Sequence, residues 1–180
     1  NYLNREEIKN LSLSASKIKI DLSPLNKSLN ISGKYSLNKG NLLSFNIENL
    51  TKEDLLKLKL NADYDSPVKF DYINYEKPKK KIATLSLDLN KKKENILIKK
   101  INFKEGNNFI SIEGIKFNKE KFLSLKKISV LTSKEGKTNN EFTILYGKKI
   151  LIKGTQYDAN NLPKFFSEKK GKNIFFHINK

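Results

Sequence analysis

The stretch LKLKLNADY, Leu56 to Tyr64, sets the fold class. Leu56, Leu58, Leu60, Ala62 and Tyr64 alternate strictly with Lys57, Lys59, Asn61 and Asp63. Successive side chains of an extended chain point to opposite faces, so this period of two describes a strand with one apolar and one polar face. The same alternation runs through Leu29, Ile31, Gly33, Tyr35 and Leu37 against Asn30, Ser32, Lys34 and Ser36. Outward from these two, further strands are expected at Leu11–Leu22, Leu42–Asn49, Val68–Tyr75, Ile82–Leu89, Asn95–Phe103, Phe109–Phe117, Phe122–Leu131, Glu141–Tyr146, Lys149–Gly154 and Asn173–Ile178. In the first of these the apolar parity changes between Leu11, Leu13, Ala15 and Ile18, Ile20, Leu22, which predicts a bulge near Ser16-Lys17.

Turn-forming clusters separate the strands: Asp21 to Pro24, Asn38 to Asn41, Asp65 to Pro67, Glu105 to Asn108 and Glu135 to Lys137. With almost no helix between strands, this rhythm predicts an antiparallel meander rather than βαβ units. Helix is expected in two short places. Thr51 to Asp54 has capping-box spacing, and Asn160 to Ser167 places an Asn cap ahead of Pro163. Ile31 to Phe45 and Ile112 to Leu125 form a weak internal repeat, each reading strand, Asn-Lys turn, then an apolar pair.

The 180 residues suit a single unit, and the absence of Met together with a start at Asn1 reads as an excerpt of a longer protein. Hydrophobic residues make up 37% and charged residues 31%, enough to bury a sheet face but not a thick two-sided core. Without cysteine there is no disulfide framework and no thiolate chemistry. No apolar run approaches the roughly 20 residues that would span a bilayer as a helix.

The net charge of +17 is almost entirely lysine, since Arg5 is the single arginine. Specific readers of bases and phosphates rely on the arginine fork, so no specific nucleic-acid partner is expected. Abundant Lys, Asn and Ile together match an AT-rich coding bias, although the excess charge favours anionic surfaces. The runs Lys77-Pro78-Lys79-Lys80-Lys81 and Lys91-Lys92-Lys93 read as solvated turns that protect sheet edges.

No constellation for catalysis emerges. His177 is the only histidine and has no companions at ligand spacing, so no metal or cofactor is expected. Asp63 and Asp65 share parity, but with Asp71 and Asp88 they lie among lysines and read as solvated ion pairs. Tyr72, Tyr75, Phe103 and Phe109 would serve as stacking platforms for a single-stranded nucleic acid, or simply as part of an apolar sheet face. The collective feature is an apolar face with no helices to cover it. Either a second sheet covers it, closing a sandwich or barrel, or the sheet stays open as a groove for an apolar ligand.

The segment FTILYGKKILIKGTQYDANNLPKFF, Phe142 to Phe166, bears on that choice. It resembles a recurring segment of the AsmA-like superfamily, nearest its YhdP-like branch, in which a strand ending Ile-x-Gly is followed by a Tyr/Phe-Asp pair and a short helix or turn. Ile110 to Val130 resembles the strands preceding it. The resemblance implies an elongated, twisted antiparallel β-groove within a periplasmic protein anchored in the inner membrane by a segment outside these residues. It implies phospholipid as partner, carried between inner and outer membranes. Groove-lining residues would be the same-parity set Leu29, Ile31, Tyr35, Leu58, Leu60, Phe70, Leu85, Leu87, Ile112, Ile144 and Ile152, with Leu162, Phe165 and Phe166 as a helical cap. Within this segment Gly154 is expected to end or bend its strand. Two other readings stay open: a basic module for an anionic polymer, or a jelly-roll carrier of the lipopolysaccharide-export type.

Overall fold

A computed structural model describes residues 10–22 and 26–161. The chain is mainly β and forms one large antiparallel sheet that stays open rather than closing into a barrel. Its strands are β1 (Leu11–Leu22), β2 (Asn26–Leu37), β3 (Leu43–Lys52), β4 (Leu55–Tyr64), β7 (Ala83–Lys92), β8 (Asn95–Glu105), β9 (Asn108–Asn118), β10 (Lys121–Ser124), β11 (Lys127–Lys134), β12 (Lys137–Tyr146) and β13 (Ile150–Gln156). Apart from β10, which pairs with the end of β9, strand order follows chain order from β1 to β13. Between β4 and β7 the chain leaves the sheet. There β5 (Val68–Phe70), a 3-10 turn (Asp71–Ile73) and β6 (Tyr75–Lys77) make a separate two-stranded hairpin.

Several local expectations are met and several are corrected. The bulge in β1 falls between Ser14 and Lys17. It restores the apolar parity, so that both Leu13 and Ile18 share a face with their β2 partners Tyr35 and Ile31. Thr51 to Asp54 is not a helical turn. Thr51 and Lys52 belong to β3, and Glu53, at φ 51°, turns the β3–β4 hairpin because strand pairing satisfies more backbone groups than one helical turn could.

Val68–Tyr75 is not one strand but a hairpin turned by Asn74 in the left-handed region, at φ 47°. Asn tolerates that region better than most residues. Phe122–Leu131 is likewise broken into β10 and β11 around Leu125-Lys126. Opposite the break, Gly114 has φ +71° and leaves room for the Lys126 side chain, whose Cβ would lie 2.7 Å from an added methyl. The two weakly repeated segments form the β2–β3 and β9–β10 hairpins.

Gly154 does not end its strand, which continues to Gln156. It sits where the β12–β13 register shifts, and a side chain there would approach the Glu141 carbonyl oxygen to 2.3 Å. The close approach of the β12 backbone is what a residue without a side chain permits there. The helix expected over Asn160–Ser167 extends beyond Asn161, so its apolar residues Leu162, Phe165 and Phe166 lie outside the described residues. So do Asn173–Ile178 and His177.

Candidate functional site

The registers align apolar positions across all ten strands of the sheet's main path. Ile18 pairs with Ile31, Ile31 with Ile47, Ile47 with Leu60, Leu60 with Leu87 and Leu87 with Ile101. Ile101 then pairs with Ile112, Ile112 with Ile128, Ile128 with Ile144 and Ile144 with Ile152. Directly paired residues point to the same face, so this is one unbroken row of Ile and Leu across the sheet. At a strand spacing of about 4.8 Å it spans roughly 40 Å.

Parallel rows extend the face on both sides. One contains Leu29, Asn49, Leu58, Leu89, Ile98 and Ile115. The other runs Gly33, Phe45, Ala62, Leu85, Phe103, Ile110, Val130, Phe142 and Gly154.

The expected lining residues therefore come together with one exception. Ile31, Leu60, Leu87, Ile112, Ile144 and Ile152 share the central row, Leu29 and Leu58 flank it on one side, and Leu85 and Tyr35 on the other. Phe70 is the exception, because it belongs to the β5–β6 hairpin. It reaches the same face from above, packing edge-on against Phe103 at 5.6 Å between ring centres. Ile18, Ile47, Ile101 and Ile128 complete the central row and were not among the expected lining residues, because single-strand parity does not say which positions of different strands stand abreast.

The 65–82 excursion caps one end of this face. Tyr64 and Ala83 pair directly, so the sheet continues beneath it without a gap. Tyr75, Ala83 and Phe103 form a buried core, with Val68, Phe70, Ile73 and Ile110 packed around it. Tyr75 stacks on Phe70 and meets Phe103 edge-on at 5.9 Å.

A polar clasp holds the cap down. Asn140 is wholly buried; its amide donates to the Ile73 carbonyl at 2.7 Å and to Thr132 Oγ1 at 2.8 Å. Its Oδ1 accepts the Asp158 backbone N–H at 2.9 Å. The Asp158 carboxylate in turn receives Asn74 at 2.8 Å and Asn139 at 3.1 Å. Tyr157 adds a bond from its hydroxyl to the Tyr72 carbonyl at 2.8 Å. The residues after β13 thus act as a strap over the 3-10 turn.

Three titratable groups lie inside the capped end. Burial pushes the Glu105 carboxyl up, but hydrogen bonds from Asn108 and Tyr75 and the charge of Lys81 outweigh it, leaving the group below the ordinary carboxylate range. Burial, then the Glu105 charge, pushes the Tyr75 phenol far above its usual value. Lys77 corrects the reading of residues 77–81 as a solvated run. It is fully buried, and its ammonium donates to the carbonyls of Pro78 and Lys81 while lying 5.9 Å from the Tyr64 ring. Burial draws its pKa down, with Asp65 and Glu105 opposing.

Each of the four carboxylates singled out in the sequence has its own partner. Asp63 accepts the Thr84 hydroxyl at 3.1 Å, and Asp65 accepts Asn41 at 2.8 Å. Asp71 and Asp88 pair with Lys69 and Lys99, as the solvated-pair reading held. Nor do the four aromatics form one platform: Tyr75 and Phe103 are core, Tyr72 lies on the cap, and Phe109 faces the other side of the sheet.

No helix among the described residues is long and apolar enough to cross a membrane. No protein family, curated protein or solved structure matches the chain.

Proposed function

We propose that the chain is a section of a bridge-like lipid-transfer protein of the AsmA-like kind, whose aliphatic sheet face carries phospholipid acyl chains between inner and outer membranes. The observation that carries this reading is the central row of Ile and Leu across ten strands, exposed at Ile18 and Ile152 on the edge strands and half-buried between them. Each acyl CH₂ exposed to water costs about 0.8 kcal/mol. A continuous aliphatic face removes that cost along a path without covalent chemistry, so the reading calls for no catalytic group. The clasped cap would give the path a closed side near β7 to β9. The proposed setting is the periplasm, with attachment to the inner membrane through a segment outside residues 1–180. A jelly-roll carrier needs two Greek-key sheets; the single chain-order meander favours the bridge-like form.

The test is native mass spectrometry of the chain purified from a Gram-negative host. Wild type should carry phospholipid. A variant with Leu60, Ile101 and Ile128 changed to Ser should lose it while keeping its β-type circular dichroism. Lipid-free wild type that also takes none up from phospholipid vesicles would end the proposal.

A further inference from the structure

The opposite face of the sheet is as regular as the aliphatic one. Lys17, Ser32, Asn46, Asn61, Ser86, Asn102, Ser111, Ser129, Thr143 and Lys153 stand abreast as a single row. Between its two terminal lysines, every member is a hydroxyl or a carboxamide. Such groups both donate and accept, and the row offers them at about 4.8 Å intervals.

Over β7 to β11 this row floors a depression of about 840 Å³. Lys100, Lys104 and Lys127 line it against the single acid Glu113, and Lys100 already pairs with that acid at 3.8 Å. Phe109, 36% exposed, stands on the same side. On the floor lies Ser111. It is only 4% exposed, and its hydroxyl has no hydrogen-bond partner within the protein. A buried polar group without a partner is costly and uncommon in a native fold.

We infer that this polar face binds an acidic polysaccharide strand, seated over Ser111 and running along the hydroxyl–amide row. A polyhydroxylated chain matches a row of groups that donate and accept in turn. The surplus of lysine over acid suits carboxylate or phosphate substituents on that chain. The face of Phe109, with its negative quadrupole, suits the C–H edge of a sugar ring. The row extends past the depression to Asn46 and Thr143, which suits a polymer rather than a single sugar. A single-stranded nucleic acid fits less well, because its readers offer successive aromatic platforms and this depression presents one exposed ring.

The test is isothermal titration of the full chain with polygalacturonate oligomers, alongside neutral cello-oligosaccharides and oligo(dT). Polygalacturonate should bind more tightly than either comparator. Lys104→Gln and Phe109→Ala should each weaken it about tenfold, as the loss of one good contact does. Ser111→Ala should weaken it several-fold and leave the melting temperature unchanged, since nothing in the folded chain uses that hydroxyl. Absent polygalacturonate binding, tighter oligo(dT) binding with a steep salt dependence, or full binding by the Lys104 and Phe109 variants would each overturn the inference. Phospholipid retention should be the same in all three variants, so this result is independent of the aliphatic face.

Discussion

Phe103 and Ile152 stand in adjacent rows of one apolar face, yet Phe103 is 5% exposed and Ile152 is 66% exposed. At the far edge Ile18 is 65% exposed, paired on one side only because β1 is an edge strand. Neither residue type nor strand parity distinguishes these positions. What differs is position in the sheet: the excursion at residues 65–82 folds over β7 to β9, whereas β1 and β13 are uncapped edge strands paired on one side only. The capped end behaves as a conventional small core with a buried polar clasp. The rest of the face is a surface that the hydrogen-bond ladder between strands holds open.

That contrast can be broken at the cap. Phe103→Ala removes the ring on which Phe70 and Tyr75 rest, and should cost about 3–5 kcal/mol. A chemical denaturation curve would show the loss. The same truncation at Ile152 should barely move the curve. A similar loss at both positions would mean that the cap does not concentrate stability as described.

The clasp tests the same comparison more gently. Asn140→Ala strands the Ile73 carbonyl, Thr132 and the Asp158 N–H together, and should cost about 2 kcal/mol. Amide hydrogen exchange should rise over residues 70–76 and stay unchanged in β2 and β3. Uniform exchange across the sheet would show that the strap is not local.

The smallest effect is electrostatic. Glu105 has a folded pKa below its unfolded one, so its contribution is full above the ordinary carboxylate range of about 4.3. It is lost as pH falls through the depressed folded value. Asp158 shifts in the same direction: burial raises its pKa, and bonds from Asn74 and Asn139 lower it further. Glu105→Gln should therefore lower the melting temperature at pH 7 by the equivalent of about 1 kcal/mol. The gap to wild type should close in strong acid, and a gap independent of pH would assign the loss to shape rather than charge.

How much of this was legible beforehand depends on the kind of interaction. Parity along Leu29–Leu37 and Leu56–Tyr64 placed nearly every expected lining residue on one face, because side-chain alternation is a local consequence of extended backbone. The β1 bulge was legible for the same reason. Phe70 was misplaced because Val68–Tyr75 has enough apolar residues to pass for a strand. The left-handed turn at Asn74 that folds it back is a choice made by contact with Phe103 and Asn140. The buried Lys77 was hidden inside a run of lysines that otherwise face water.

The sequence by itself determined a two-faced antiparallel sheet, since period two, turn residues and the lack of helical spacing are all short-range properties. Tertiary structure alone decided that ten apolar positions stand abreast, that Ser111 lies unpartnered beneath the polar face, and that residues 65–82 cap the apolar one. Register and docking are set by contacts between residues distant in the chain, and alternation within a single strand carries no record of which partner stands opposite.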